Sequence, residues 1–431
     1  MRKEKNIVNW LIEYKKKCFF SVKKKKLCNL KNWNIKESKI YHSSKKFFQI
    51  AGFRISSNYY HNKNWDQPLI IQNEKGILGI LKRKHKGNHQ YLLQAKMEPG
   101  NINKVQLSPT VQATKSNYTR VHGGKAIKYL NFFKNQNQKK ILVKSNQSEQ
   151  GFRYFSKFNT NMIINVNDKI KIGKNHIWLN KIELKKLINQ SNILNMDVIS
   201  VFSCGVKKKI NEVSENSLKN IYYWFNNLKK KYFIKRKLIP LSKMKNWEYN
   251  EKNISHKSKK YFSIIGIKVQ SNSREVNEWE QPIIQGKKLA LSGFIIKKTN
   301  STIHYLVNFS LKPGLKYAGL SCTTRTSDIN NYLNNKNLTK FTKYYLKKYF
   351  LTNNHSKIRY NKIQSDEGGR FFHSQIKNMI VEISEKERIK INNNYIWMSH
   401  NQILYFIKKG IFDIEARILF SCFNIYNNNI E

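Results

Sequence analysis

The tryptophans of this chain are written twice. Trp10, Trp33 and Trp65 recur as Trp224, Trp247 and Trp279, each 214 residues later, and Trp178 recurs as Trp397 after 219, so all eight are paired. Around them KKFFQIAGFRISSNYYHNKNWDQPLI aligns with KKYFSIIGIKVQSNSREVNEWEQPII without a gap, QSEQGFRYF (147–155) with QSDEGGRFF (364–372), and VFSC at 201 with LFSC at 419. A period this long excludes a solenoid, whose units span only about 20–50 residues. It demands instead two similar units, 1–214 and 215–431, that share one fold by duplication.

Within each unit, FFQIAGFRI, GILGILKR and HQYLLQAKM are β-branched or apolar runs closed by Gly, Pro or polar turns, and they read as strands. KIELKKLINQSNI and SHNQILYFIKKG carry helical spacing behind a capping Asn or Ser. The expected class is therefore mixed α/β of the α+β type, with more strand than helix. No low-complexity linker separates the units, and KKKYFIKRK (229–237) reads as a solvated segment. Trp10, Trp33 and Trp178 are expected to fill equivalent core sites. Trp65, beside Pro68, suits a rim turn where its ring could stack on a base.

The formal charge of +55 over 431 residues would ordinarily suggest an anionic partner. Two features count against nucleic acid: the lysines are spread over nearly every segment, and Arg, the better base reader, is scarce. Lys, Asn and Ile are also what A/T-rich codons encode. No run approaches the roughly 18 apolar residues of a membrane span, and the first twenty residues lack a secretory apolar stretch. Five cysteines, Cys18, Cys28, Cys204, Cys322 and Cys422, show no paired spacing. Reduced thiols, a cytoplasmic location and no membrane association are the expectation.

Catalytic motifs are excluded in turn: there is no GxGxxG after a strand, no P-loop, no HExxH, no GxSxG elbow and no zinc-ligand spacing. His85 and His89 flank Gly87 and Asn88, a turn rather than a metal site. No metal or cofactor is called for. What stands out is residues 92–125, LLQAKMEPGNINKVQLSPTVQATKSNYTRVHGGK, where the Lys and Asn background thins.

With NWDQPLIIQNEKGILGIL and QSEQGFRYF, this stretch resembles the NDP-hexose 2,3-dehydratases of deoxysugar biosynthesis, themselves tandem duplications. The resemblance is strongest over residues 45–165. It implies two Nudix-like α/β domains, a homodimer, a dTDP-linked 4-keto-6-deoxyhexose as substrate, and a 3-ketoreductase and glycosyltransferase acting downstream. The Nudix box of metal-binding glutamates is missing from both halves. One departure is Thr160, where the family usually has Arg.

The reaction itself dictates what a site must contain. A 4-keto group acidifies C3–H, so one general base, one donor to the developing C4 oxyanion and one acid at the C2 oxygen suffice. Glu98 and Glu149, scarce carboxylates inside the resembling segments, are the candidate bases. Each has a second reading: Glu98 as a carboxylate capping the turn at Gly100 and Asn101, Glu149 as an ion-pair partner of Arg153 or Lys157. Tyr118 and His122 are the candidate acids. Gln106, Thr110, Gln112, Thr114 and Asn117 offer uncharged contacts to sugar and base; Lys96, Arg120 and Lys125 offer charge for the diphosphate, and Gly123 and Gly124 close backbone approach. A buried hydrogen-bond ladder would use the same polar residues.

The second copy has drifted. Lys312 stands where the first half has Glu98, Cys322 for Pro109 and Arg325 for Gln112, although QSDEGGRFF keeps Asp366, Glu367, Gly369 and Arg370. The first half is thus expected to hold the working pocket, and the second to be a structural partner or a vestigial nucleotide-sugar site that contributes Arg370. The competing functions are a catalytically inactive nucleotide-sugar binding protein and a basic RNA-binding protein.

Overall fold

The computed structural model describes residues 6–119, 123, 125–134, 140–167, 170–286, 288–335, 338–352 and 357–431. Among these, strand outweighs helix and four sheets are formed, two per half.

In the first half the larger sheet runs Ile141–Ser148, Phe158–Asn165, Gly76–His85, Asn88–Met97, His176–Asn180, with Val105–Pro109 and Val111–Ala113 alongside. The matching sheet of the second half is built on Ala290–Thr299, Thr302–Ser310 and Gln375–Ile383. The pairing is mostly antiparallel, but Phe158–Asn165 runs parallel to Gly76–His85, as Gln375–Ile383 does to Ala290–Thr299.

The smaller sheets exchange strands. Phe20–Lys25 pairs with Ser263–Ser271 of the second half, and Ile234–Ile239 pairs with Gln49–Ser57 of the first. None of residues 229–237 is buried, as the reading of a solvated segment expects, but the stretch is ordered as a helix end and this exchanged strand. The helix Leu218–Lys231 buries Ile221, Phe225 and Leu228, three residues on one face at i, i+4, i+7 spacing, and the chain then enters a strand that completes the other half's sheet. Its lysines cover the exposed side of an edge strand, where charge also discourages further pairing.

The centre of the molecule is a helix pair, Met196–Cys204 and Ile414–Tyr426. Both are buried around nearly their whole circumference, as helices apolar on all sides must be. They begin at Asn195 and Asp413, whose side chains accept from Val198 N (3.0 Å) and Ala416 N (3.1 Å). Arg417, where the first half has Ile199, is fully buried and crosses between halves, donating to Ser200 Oγ at 2.8 Å and the Ser148 carbonyl at 2.7 Å. The main core draws on both halves at once, joining Leu107 and Phe202 to Phe309 and Phe420. Trp33 and Trp178 are buried and Trp10 is half-buried at its edge.

Candidate active site

Two cavities of about 600 Å³ each lie at places related by the duplication, a size within the usual ~300–1,000 Å³ of small-molecule sites. Each is walled by the larger sheet of one half and a hairpin of the other. In the first, Lys96 and Glu98 close the strand Asn88–Met97, Gln112 comes from Val111–Ala113, Asn159 from Phe158–Asn165, and Asp197 from the central helix. Facing them are Arg274, Glu275, Trp279, Glu367 and Arg370 of the second half, with Trp33 and Phe48 at the side.

Four carboxyls converge here: Glu98, Glu149 and Asp197, which are buried, and the half-buried Glu367. Glu98 Oε1 accepts Gln112 Nε2 at 3.1 Å and faces Lys96 Nζ at 3.5 Å and Arg274 at 3.9 Å, while Oε2 has no protein partner. Gln112 is held in turn by Asn195 Nδ2 at 3.3 Å. Glu149 accepts a short hydrogen bond from Asn159. Burial raises the Glu149 carboxyl, with Arg417 and Lys157 opposing. Burial, then the charges of Glu149, Glu367 and Glu98, push Asp197 well above the carboxylate range. Glu367 is raised to about 7 by burial and by Glu98, against the pull of Arg370. Lys157 is lowered to about 8 by burial, and its ammonium donates to the Glu74 carbonyl. Glu275 is held at about 2 by the adjacent Arg274. A carboxyl raised to about 7, among further raised carboxyls and cations, is what acid–base chemistry at pH 7 requires.

The second cavity is the same frame with its chemistry cancelled. Lys312 Nζ lies 2.6 Å from both Asp413 and Glu415, and Arg325 Nε 3.0 Å from Glu415. Burial would raise Glu415, but Arg325 and Lys312 hold it down to about 2. The counterparts of Glu98 and Gln112 thus lock the counterpart of Asp197 into a closed ion-pair network.

The sequence candidates divide by place. Glu98, Glu149, Lys96, Gln112, Thr114, Asn117 and Arg370 line the first cavity. Arg370 stacks its guanidinium 4.1 Å from the Phe48 ring. Trp65 lies in the second cavity, on the strand Asn64–Ile71 instead of a rim turn, and its duplicate Trp279 lines the first. The exchange has a physical cause: each hairpin roofs the cavity of the other half. Gly100 and Asn101 form an interlock between halves, where a Cβ on Gly100 would fall 1.8 Å from the Phe371 carbonyl oxygen. Gln106 bonds Ser365 Oγ at 2.7 Å, and Thr110 bridges Leu81 N and the Leu92 carbonyl; both are buried ties. Tyr118 packs against the apolar cluster that includes Leu81, Leu130 and Phe133, with Lys134 over its ring, and is not among the cavity residues. Lys125 N reaches the Glu275 carbonyl at 3.3 Å, and Gly123 is exposed with φ +68°. Arg120, His122 and Gly124 lie outside the described residues. Thr160 bonds Asn146 Oδ1 at 3.0 Å and is not among the cavity residues.

Asp197, Tyr154, Lys157, Arg274, Trp279 and Glu367 line the cavity without having been singled out as site residues. Two carried a signal. Asp197 is the one acid in the apolar MDVISVFSC, and Glu367 is an acid where the first copy has Gln150.

The sequence profile of the family described as NDP-hexose 2,3-dehydratase matches residues 4–204 and again 218–423. The chain belongs to that family. Its double match to an NDP-hexose 2,3-dehydratase profile repeats the duplication read from the tryptophans, and the family's activity is that of a hydro-lyase. A protein of Saccharopolyspora spinosa described as dTDP-4-dehydro-6-deoxy-alpha-D-glucopyranose 2,3-dehydratase is 31% identical over 417 residues, covering 90% of this chain and 85% of the relative. Proteins of the same description from Amycolatopsis orientalis and Streptomyces violaceoruber are 31% and 30% identical, over 96% and 89% of this chain and 89% and 88% of their own. Among the described residues no helix is long and apolar enough to cross a membrane.

Proposed function

We propose that the chain dehydrates dTDP-4-keto-6-deoxyglucose to a 3,4-diketo-2,6-dideoxy sugar in the cavity walled by Glu98. The observation that carries this reading is the contrast between the cavities: four converging carboxyls, one with an unpartnered oxygen, against a counterpart whose acids are tied up in ion pairs with Lys312 and Arg325.

Glu98 is the C3 base. Its Oε1 is held by Gln112 and Lys96, which leaves Oε2 to take the proton. Abstraction puts negative charge on the C4 oxygen, and Lys157, a cavity residue still cationic at neutral pH with its value near 8, balances it. Arg274 and Arg370 supply charge for the diphosphate, and Trp279 and Phe48 offer faces for the pyrimidine. Glu149, with Asn159, supports the far side of the sugar. The enolate expels the C2 hydroxyl, and the enol relaxes to the diketone.

The same reading includes two Nudix-like repeats at 1–214 and 215–431, a homodimer, a cytoplasmic setting and a labile product passed to a 3-ketoreductase and then a glycosyltransferase. Incubation with the dTDP-sugar and a 3-ketoreductase in deuterated buffer tests it. Deuterium uptake and a 2-deoxy product are expected, and absence of both would overturn the proposal.

A further inference from the structure

We infer that Glu367, carried into the first-half cavity by the second half, is the general acid that protonates the departing C2 hydroxyl, and that Tyr154 is its positioning residue. The inference rests on the proposed dehydration and goes beyond it by assigning the acid.

The duplication provides an internal comparison. Glu367 occupies the position of Gln150, and Tyr154 the position of Phe371. In the first cavity the Tyr154 hydroxyl donates to Glu367 Oε2 at 2.9 Å, and Gly369 N donates to Oε1 at 2.9 Å. In the second cavity the same two places hold an amide and a phenyl ring, so neither can move a proton. Gln150 there binds only Asp366 Oδ1 and the Met196 sulfur. Carboxyl and hydroxyl therefore occur together only where Glu98 is present.

The two carboxyl carriers are also tied. Gly100 N donates to the Gly368 carbonyl at 2.7 Å, and His373 N to the Gly100 carbonyl at 2.8 Å, which fixes the Glu98 turn against the Glu367 loop. Burial and then the charge of Glu98 both favour the protonated form of Glu367, raised to about 7, as a general acid requires. Of the sequence candidates for this role, Tyr118 is not among the cavity residues and His122 lies outside the described residues.

The step balances. Glu98 takes the C3 proton, leaving the enolate. Glu367 gives its proton to O2 as the C2–O bond breaks, the enolate pair becomes the C2=C3 bond, and the C4 carbonyl re-forms with loss of water. The Glu98 proton then goes to C2 and the O3 proton to Glu367, which yields the diketone and restores both carboxyls.

The test uses full-length enzyme and the dTDP-4-keto sugar in deuterated buffer, scoring C3 exchange in recovered substrate separately from dehydration. Glu367→Gln is expected to keep C3 exchange while dehydration falls about 10²- to 10⁴-fold, with partial recovery in Glu367→Asp; Glu98→Gln loses both. Wild-type exchange with no dehydration defect in Glu367→Gln would overturn the assignment, as would loss of exchange in Glu367→Gln equal to that in Glu98→Gln. If the wild type neither exchanges nor dehydrates, the dehydratase reading itself fails. Should Glu367→Gln not fold, Tyr154→Phe decides. Removing a hydrogen bond that favours the carboxylate raises the Glu367 value, so the basic limb of kcat/KM, expected near pH 7, moves upward. An unmoved limb would overturn the inference.

Discussion

Gly100→Ala tests the interlock that holds Glu98 against Glu367. An added Cβ would lie 1.8 Å from the Phe371 carbonyl oxygen and 2.7 Å from that of Gly368, where relaxed contact needs roughly 3.5 Å. Relief requires a shift of more than about 1 Å, enough to break the 2.7 Å bond from Gly100 N and the 2.8 Å bond from His373 N. Each buried group left unpaired costs about 1–3 kcal/mol. Alanine returns about 0.4–1 kcal/mol by restricting the unfolded chain. The expected net loss is about 2–5 kcal/mol, a large share of the ~5–15 kcal/mol that folded proteins possess. Urea unfolding monitored by tryptophan fluorescence measures it. Because a misplacement of about 1 Å can cost ~10²-fold in rate, residual folded enzyme should dehydrate about 100-fold more slowly. Gly123→Ala, at an exposed glycine with open space around it, should cost only about 1–2 kcal/mol, from φ alone. Wild-type stability and rate in Gly100→Ala would refute the reasoning.

Three further outcomes are expected. Lys312→Ala leaves Asp413 and Glu415 buried without their shared cation, and should destabilise by about 3–5 kcal/mol in thermal or urea unfolding while the folded fraction keeps its turnover. Glu415 sits near 2 in the fold, so its contribution is present above the ordinary carboxylate value and lost as pH falls towards 2; Glu415→Gln should flatten that acid limb by up to about 3 kcal/mol. Glu367 has the opposite sign. Raised to about 7, it stabilises most below its ordinary value, and that contribution fades as pH climbs through 7, so Glu367→Gln should gain on wild type between pH 5 and 8 in the same unfolding series.

Much of the frame could be read from the chain, because duplication preserves spacing. The paired tryptophans announced two units, apolar and β-branched runs announced Gln49–Ser57 and Asn88–Met97, and the capping Asn ahead of KIELKKLI announced the helix that begins after Asn180. Glu98 and Glu149 stood out as acids in a lysine-rich background, and both reach one cavity. What could not be read is which copy serves which cavity. Strand exchange leaves no mark on local pattern: Ile234–Ile239 looks the same whether it pairs at home or with Gln49–Ser57. For that reason Trp65 was assigned to the pocket that Trp279 lines. Glu367 was visible as a retained acid, but only the crossing of its loop into the other half's cavity gives it a use. Gly100, Gln106 and Thr110 sit in the distinctive stretch because they tie strands and halves together.

The central claim, that one cavity works and its duplicate does not, is tested most directly by kcat on the dTDP-4-keto sugar with a coupling 3-ketoreductase, comparing Glu98→Gln with Arg325→Gln. Arg325 occupies the place of Gln112 in the second cavity, where it is half-exposed and paired with Glu415. The account predicts a fall of about 10²- to 10⁴-fold in Glu98→Gln and turnover within about twofold of wild type in Arg325→Gln. Equal losses in the two variants would contradict it.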